Sequence, residues 1–246
     1  RPAGSSGTIL DVRAAPSGSS TPPPSTQKVT VQLNPTGLRV EPGMRTDAQI
    51  EIFNQSELVE HFRVQVQGLP IEWVIMPQST LQLMPGTRGT LPITIHPPRN
   101  PSATAGTYNV GLRVSSEERG MEIARGTGTL SVNSFRSFSV DMSPKRVRKN
   151  GKVRITVNNT GNTPDSYTVS GRDREEGLMF IPPNASLSVG PGRSETVEME
   201  VRPRKTSLLG APTIYPLEMR AVSSSSDFHV ENGELAATPL LPYLIL

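Results

Sequence analysis

The sequence contains no cysteine and only three histidines, His61, His96 and His229. The absence of cysteine excludes disulfide bonds, thiolate metal sites and thiol nucleophiles. The histidines are too far apart in the chain to form one of the short metal-binding motifs. No P-loop, dinucleotide-binding, H-E-x-x-H or G-x-S-x-G sequence is present. We therefore expect a protein that is not an enzyme and that holds no cofactor or metal ion.

Aromatic residues are scarce, at 4% of the chain, and long apolar runs are missing. No window of about a dozen residues has the 3.6-residue apolar period of a helix, so we expect almost no helix. No apolar run reaches the length of about 18 residues that a complete transmembrane helix needs. Proline is abundant, at 24 of 246 residues, roughly twice its average share. Short apolar stretches separated by proline and glycine are typical of all-β sandwiches.

The first 27 residues are rich in serine, glycine, proline and threonine. Such a composition predicts an extended segment, with the three prolines of 22–24 favouring polyproline conformation. One island differs, the five residues Thr8, Ile9, Leu10, Asp11 and Val12. Their apolar character predicts a short strand at 8–12 within a segment that cannot form its own core.

After this segment the chain repeats itself once. Six stretches in the first half have counterparts about 105 residues later, in the same order, which indicates a duplicated domain. The paired stretches are 28–35 with 137–144, 48–57 with 153–162, 61–68 with 165–171, 71–77 with 178–183, 81–99 with 187–205, and 106–116 with 213–224. The repeat predicts one domain at 28–132 and a second at 133–237, followed by an apolar tail at 238–246.

The clearest repeated motif has a proline–glycine turn between two alternating stretches, at 81–99 and again at 187–205. Proline fixes φ and glycine accepts a positive φ, so the pair predicts a tight turn. The flanking strands must then either pair with each other or cross between two sheets. The motif therefore predicts a hairpin-like corner in each domain.

This order of strands and turns resembles bacterial immunoglobulin-like modules, including the adhesion-type and glycosidase-associated domains of surface proteins. Tyr108 and Tyr215 are similar to the tyrosine near the start of strand F in such sandwiches. Trp73 and Phe180 occupy matching places in the two copies. The resemblance covers residues 28 to 237 and implies two tandem immunoglobulin-like sandwiches. It also implies a non-catalytic protein, exported to the cell surface or the extracellular space.

One basic run lies at the start of the second copy. Its six positive residues are Lys145, Arg146, Arg148, Lys149, Lys152 and Arg154. Two interpretations stay open, a solvated or interdomain surface and a patch for an anionic ligand such as polysaccharide. Nucleic acid is not expected as a partner, because no aromatic residues for base stacking are interleaved with these charges.

The composition of the two ends leads to the main functional hypothesis. The island at 8–12, or the apolar tail, could add a strand to the open sheet edge of a neighbour. A head-to-tail contact of this kind builds a filament of copies, or links the chain to another surface protein. The candidate tail residues are Leu240, Leu241, Tyr243, Leu244, Ile245 and Leu246.

Two alternatives remain open from the sequence. The chain could be an adhesion or ligand-binding module for a carbohydrate or protein, although its few aromatic residues disfavour a carbohydrate site. It could also be the ectodomain of a membrane-anchored protein. In that case membrane contact requires a helix beyond residue 246.

Overall fold

The computed structural model describes residues 28–205, 208–239 and 241–242. Within these residues the regular structure is β-strand, apart from one 3-10 helical turn at Ile71–Trp73. The predicted all-β class is therefore confirmed. The N-terminal segment 1–27, with the strand predicted at 8–12, lies outside the described residues.

The first half of the chain contains nine strands that form two sheets. The strands are β1 (Val29–Asn34), β2 (Gly37–Val40), β3 (Thr46–Asn54), β4 (Glu60–Gln67), β5 (Val74–Ile75), β6 (Thr80–Leu83), β7 (Arg88–Ile95), β8 (Gly106–Ser116) and β9 (Glu122–Val132). One sheet has the order β1-β3-β7-β5 and the other has the order β2-β9-β8-β4-β6. Their inner faces enclose one apolar core.

The second half repeats this arrangement. Its strands are β10 (Phe138–Ser143), β11 (Arg146–Arg148), β12 (Gly151–Asn159), β13 (Asp165–Arg172), β14 (Leu178–Ile181), β15 (Asn184–Val189), β16 (Ser194–Pro203), β17 (Leu209–Gly210), β18 (Thr213–Ser223), β19 (Phe228–Ala237) and β20 (Leu241–Pro242). The two main sheets have the orders β10-β12-β16-β14 and β11-β19-β18-β13-β15, around a separate core. Two tandem immunoglobulin-like sandwiches are thus present, and we propose 28–132 and 133–237 as the domain limits.

Alternation of apolar and polar residues determines which face of each strand points to the core. In β1 the side chains of Val29, Val31 and Leu33 are buried, and the residues between them are exposed. This is the period-two pattern of a sheet with one face on the core. After β1 and β10 the chain reaches Pro35 and Pro144 and crosses to the opposite sheet. There β2 pairs with β9, and β11 with β19, in parallel.

The repeated proline–glycine motif forms a corner between sheets. β6 and β7 flank the turn but belong to different sheets, as do β15 and β16. Of the two arrangements left open by the sequence, the crossing is therefore the one adopted. The prolines after the motif end the strand in the first copy but not in the second. β7 ends at Ile95, whereas β16 continues to Pro203, which is paired with Leu178.

Each sandwich has one buried asparagine at the end of its third strand. The side-chain amide of Asn54 donates to the carbonyl oxygens of Leu58 and Leu83, at 2.9 and 3.1 Å. In the second copy Asn159 donates to Thr163 and Val189, both at 2.9 Å. Both amides satisfy buried carbonyls of the following turn and of the corner, so each asparagine joins two loops.

The first and last strands of the first sandwich lie unusually close together. A Cβ atom at Gly126 would be 2.6 Å from the Val31 carbonyl oxygen, and one at Gly128 would be 2.6 Å from the Leu33 side chain. Glycine at these two positions of β9 therefore lets β1 cover the strand and closes the sandwich along this side.

We expect Gly128→Ala to destabilise the first sandwich by about 1–3 kcal/mol, because the added methyl overpacks a filled interior. Gly37→Ala is the control, since its Cβ would make only an ordinary contact with Thr129, at 3.6 Å. Denaturant unfolding of both variants checks the difference. Equal stabilities would show that this side of the sandwich is not tightly closed.

Candidate functional site

The candidate assembly residues lie at the two ends of the chain. Thr8–Val12, Leu240 and 243–246 fall outside the described residues, so their role stays a prediction. Leu241 belongs to β20, which pairs in parallel with β17 of the same chain. This short pairing gives one part of the tail an intramolecular partner.

The basic run does not form one surface. Lys145 and Arg146 form ion pairs with Glu231 and Glu234 of β19, the first at 2.9 Å. Lys152, on the opposite sheet, pairs with Glu198 at 2.6 Å.

Arg148 follows on β11, Lys149 lies in the turn after it, and Arg154 belongs to β12 with Lys152. Hydrogen bonds to Glu231 and Glu198 raise the pKa of Lys145 and Lys152, so both stay charged at neutral pH. The interpretation of these residues as a patch for an anionic ligand remains a prediction. The six residues are divided between two sheets, and ion pairs with glutamates neutralise some of their charges.

The three histidines are not brought together. His61 lies on β4, and His96 follows β7 with its Nε2 atom 3.2 Å from the Gly43 carbonyl oxygen. His229 lies on β19 of the other sandwich. Among the described residues there is no group of three or more histidine, aspartate or glutamate side chains that could hold a metal ion.

The two sandwiches are joined through one buried side chain, Asn162. Its side-chain amide donates to the carbonyl oxygens of Ala103 and Asn133, at 2.8 and 3.0 Å. Its side-chain oxygen accepts from the Phe135 backbone at 2.7 Å, and its own carbonyl accepts from Ala105 at 2.9 Å. Asn162 is completely buried. It therefore binds the first sandwich, the connecting segment and the second sandwich at one point.

Further contacts support this joint on either side. The Arg99 guanidinium lies 4.6 Å from the centre of the Phe135 ring. The Arg136 side chain approaches the buried carboxylate of Asp165 at 3.6 Å. The other Asp165 oxygen accepts from the Ser224 hydroxyl at 2.5 Å. The connecting segment is therefore held to both sandwiches.

One sheet edge of the second sandwich is open next to this joint. β19 pairs with β18 along its length, but β11 covers its other side only at Glu234, Leu235 and Ala236. The preceding residues 228–232 make no backbone hydrogen bond on that side to any described residue. We call these five residues the open edge. Unpaired strand edges are ready templates for another strand.

The open edge exposes apolar side chains that its counterpart in the first sandwich does not. Phe228 is 56% exposed and Val230 is 38% exposed. In β9 the residue that pairs as Val230 does is the charged Arg125. The position of Gly126, where β1 approaches closely, is taken by Glu231. A full side chain there, bound to Lys145, holds the first and last strands apart.

A groove of about 520 Å³ lies between β10 and the open edge. Its lining residues are Arg136, Ser137, Phe138, Ser223, Ser226, Asp227, Phe228 and His229. The Phe138 ring forms its floor and packs against His229 at 4.6 Å and Tyr167 at 4.7 Å. Burial, the larger cause, and the Asp165 charge raise the pKa of Tyr167 to about 12, so its hydroxyl stays neutral.

On the outer face of the sheet, beside the groove, an aromatic ring of the open edge packs against a cation. The Arg220 guanidinium lies 4.2 Å from the centre of the Phe228 ring. The Arg220 Nε atom is buried and has no hydrogen-bond partner among the described residues. The groove therefore offers backbone groups of the open edge, the exposed Phe228 ring and a largely polar inner lining.

The groove was not predicted from the sequence. A signal was nevertheless present, because Gly126 and Gly128 of the first copy correspond to Glu231 and Gly233 of the second. Loss of one of two close-approach glycines indicates that the second copy closes differently. The predicted tyrosine similarity is visible at Tyr108, whose hydroxyl donates to the Thr104 carbonyl oxygen at 2.7 Å.

No protein-family model matches the chain, and no curated protein matches it in sequence. A protein of unknown function from Porphyromonas gingivalis W83 is similar in structure, with 16% identity, a TM-score of 0.32, and coverage of 84% of this chain and 98% of that chain. The Pseudomonas aeruginosa CupB2 chaperone has 10% identity, a TM-score of 0.29, and coverage of 80% and 97%. The Escherichia coli adhesin FdeC has 12% identity, a TM-score of 0.42, and coverage of 86% and 63%. At these low identities and TM-scores the similarities concern the fold alone.

None of the described residues forms a helix of the length and apolar character needed to cross a membrane.

We expect Asn162→Ala to loosen the joint between the sandwiches, because the Ala103 and Asn133 carbonyls and the Phe135 N–H lose their partner. Buried groups left unpaired cost about 1–3 kcal/mol each. Small-angle scattering should show a broader distribution of shapes for this variant. The control is Asn158→Ala, which removes a hydrogen bond to the Ser139 hydroxyl outside the joint. Unchanged scattering for both would show that Asn162 does not set the domain orientation.

We expect Phe228→Ala to change the free energy of unfolding by less than about 1 kcal/mol, since the ring is mostly exposed and contacts Arg220. Phe138→Ala should cost about 3–5 kcal/mol, because that ring is only 7% exposed and packs in the core. Denaturant titration compares the two. A large loss for Phe228→Ala would mean that the ring serves stability and is not available to a partner.

Proposed function

We propose that the protein is a non-catalytic structural subunit of the cell surface or extracellular space, which assembles with neighbouring copies by strand addition. The observation that supports this is the open edge of β19, five consecutive residues with unpaired backbone groups and exposed Phe228 and Val230. An unprotected apolar edge favours pairing with another chain. Added strands gain affinity from main-chain hydrogen bonds and specificity from alternate side chains.

The joint at Asn162 supports a structural role. A subunit that sets the positions of its neighbours in an assembly needs a fixed angle between its domains. A flexible pair of domains would not provide this angle. Five hydrogen bonds of Asn162 connect it to the first sandwich and the connecting segment. The contact between Arg99 and Phe135 adds to them. We therefore infer that the two sandwiches act as one rigid rod.

A second contact of each copy is needed for a chain of subunits. If the donor of the added strand lies elsewhere than the open edge, each copy offers one donor and one acceptor. Such a heterologous contact does not close on itself and generates a filament. Export is part of this proposal and rests on the resemblance to surface modules.

Assembly can be tested by sedimentation velocity on the full chain over a wide range of concentrations. We expect species heavier than the 26.6 kDa monomer, increasing with concentration. We expect Val230→Lys to raise the dissociation constant of the assembly at least tenfold, because a lysine on a strand edge opposes pairing.

The matched control is Thr127→Lys, an exposed position in the middle of the corresponding strand β9, where β1 closes the sandwich. This variant should assemble as the unaltered chain does. A chain that stays monomeric at every concentration would overturn the proposed function. Assembly that is equally weakened by both lysines would show that the open edge is not the contact.

A further inference from the structure

The open edge presents two different faces to an added strand. Phe228 and Val230 lie on the outer face of the sheet with Arg220. His229 lies on the inner face, against Phe138 at the floor of the groove. An added strand that fits the open edge therefore needs apolar side chains on the side that faces Phe228 and Val230 and a length of about five residues.

Only one short segment outside the two sandwiches and near the N-terminus has these properties. Thr8–Val12 is five residues long, equal to the open edge. In an extended conformation Leu10 and Val12 lie on one side and Ile9 on the other. We propose that Thr8–Val12 of one copy is the strand that pairs with the open edge of a neighbouring copy, an inference that rests on the proposed function.

The side chains suggest how the faces meet. Leu10 and Val12 would contact Phe228 and Val230 on the outer face, and Ile9 would lie against the His229 ring in the groove. The remaining side chains of the segment are polar, and Asp11 shares the side of Ile9. That side opens toward Arg136, whose positive charge complements the aspartate.

The position of the first strand favours a neighbour as the source of the segment. Lys28 lies at the end of the first sandwich remote from the joint, because β1 continues into β2, which runs parallel to β9 toward Val132. The groove lies beside the joint, since Arg136 and Ser137 line it. The eleven residues of β9 span about 37 Å. A segment of the same copy must bridge roughly this distance to reach its own open edge.

The connection between the segment and the first sandwich is too short to bridge this distance easily. Fifteen residues, 13–27, separate Val12 from Lys28. Their maximum reach is about 50 Å, but a flexible chain of this length has a mean end-to-end distance of only about 20 Å. Pairing within one copy therefore takes up about three-quarters of this maximum reach and loses conformational entropy. Pairing with a neighbour placed end to end avoids this cost.

The absence of native cysteine allows a direct test by crosslinking. Full chains with Leu10→Cys are mixed with full chains carrying Val230→Cys, and a short bismaleimide joins thiols that lie close together. We expect covalent dimers in high yield from this mixture. The control mixture pairs Leu10→Cys with Thr127→Cys and should yield at least tenfold fewer dimers.

A second measurement uses a peptide of residues 6–14 as competitor. Added in excess to the unaltered chain, it should dissolve assemblies into monomers, and the same peptide with Leu10→Lys should be at least tenfold weaker. The Leu10→Lys substitution in the full chain should prevent assembly without changing the unfolding transition.

The outcomes separate the inference from the proposed function. Assembly that is abolished by Val230→Lys but unaffected by Leu10→Lys would overturn the inference and retain the function, with another donor for the open edge. A chain carrying both cysteines that crosslinks only within itself, as a monomer, would overturn the neighbour as donor and with it the proposed assembly. Dimers in equal yield from the test and control mixtures would overturn the assignment of the open edge.

Discussion

The closure between the first and last strands is the constraint on which the rest of this structure depends. A β-sandwich has edges at which backbone groups need a partner or a cover. In the first sandwich β1 lies directly over β9, because Gly126 and Gly128 carry no side chains that would separate them. In the second sandwich Glu231 occupies the place of Gly126, whereas Gly233, the counterpart of Gly128, keeps a close approach to the Lys145 carbonyl oxygen. The groove between β10 and β19 lies on the side of this difference between the copies.

The joint at Asn162 connects the second sandwich, with this side, to the first sandwich. The asparagine belongs to the turn that follows the buried Asn159, so the same loop stabilises the second sandwich and binds the first. Arg136 extends from the connecting segment both to Asp165 and to the groove. The groove is therefore bordered by the joint, and its position along the two-sandwich rod is determined by the same contacts that orient the domains.

The two copies share their architecture but differ in the surface of their last strand. Both have the same strand order and the same buried asparagine, and these features maintain the fold. The second copy alone combines the exposed Phe228 and Val230 with a groove floored by Phe138. The two copies share one architecture, and residues 228–232 of the last strand have no partner strand on one side among the described residues. The ion pairs of Lys145 and Arg146 with β19 help to hold β11 against the C-terminal half of β19.

The amino-acid sequence by itself determined the fold class, the duplication and the inward-facing residues, because the period-two pattern and the turn residues act locally. Leu91, Ile93 and Ile95 are buried as their alternation predicts. Whether the proline–glycine motif paired its strands or crossed between sheets was decided only by the tertiary structure, since both arrangements satisfy the same turn. Likewise the basic run is continuous in sequence but divided between two sheets in space. The groove and the joint could not be read from the sequence, because each depends on how closely strands distant in the chain approach one another.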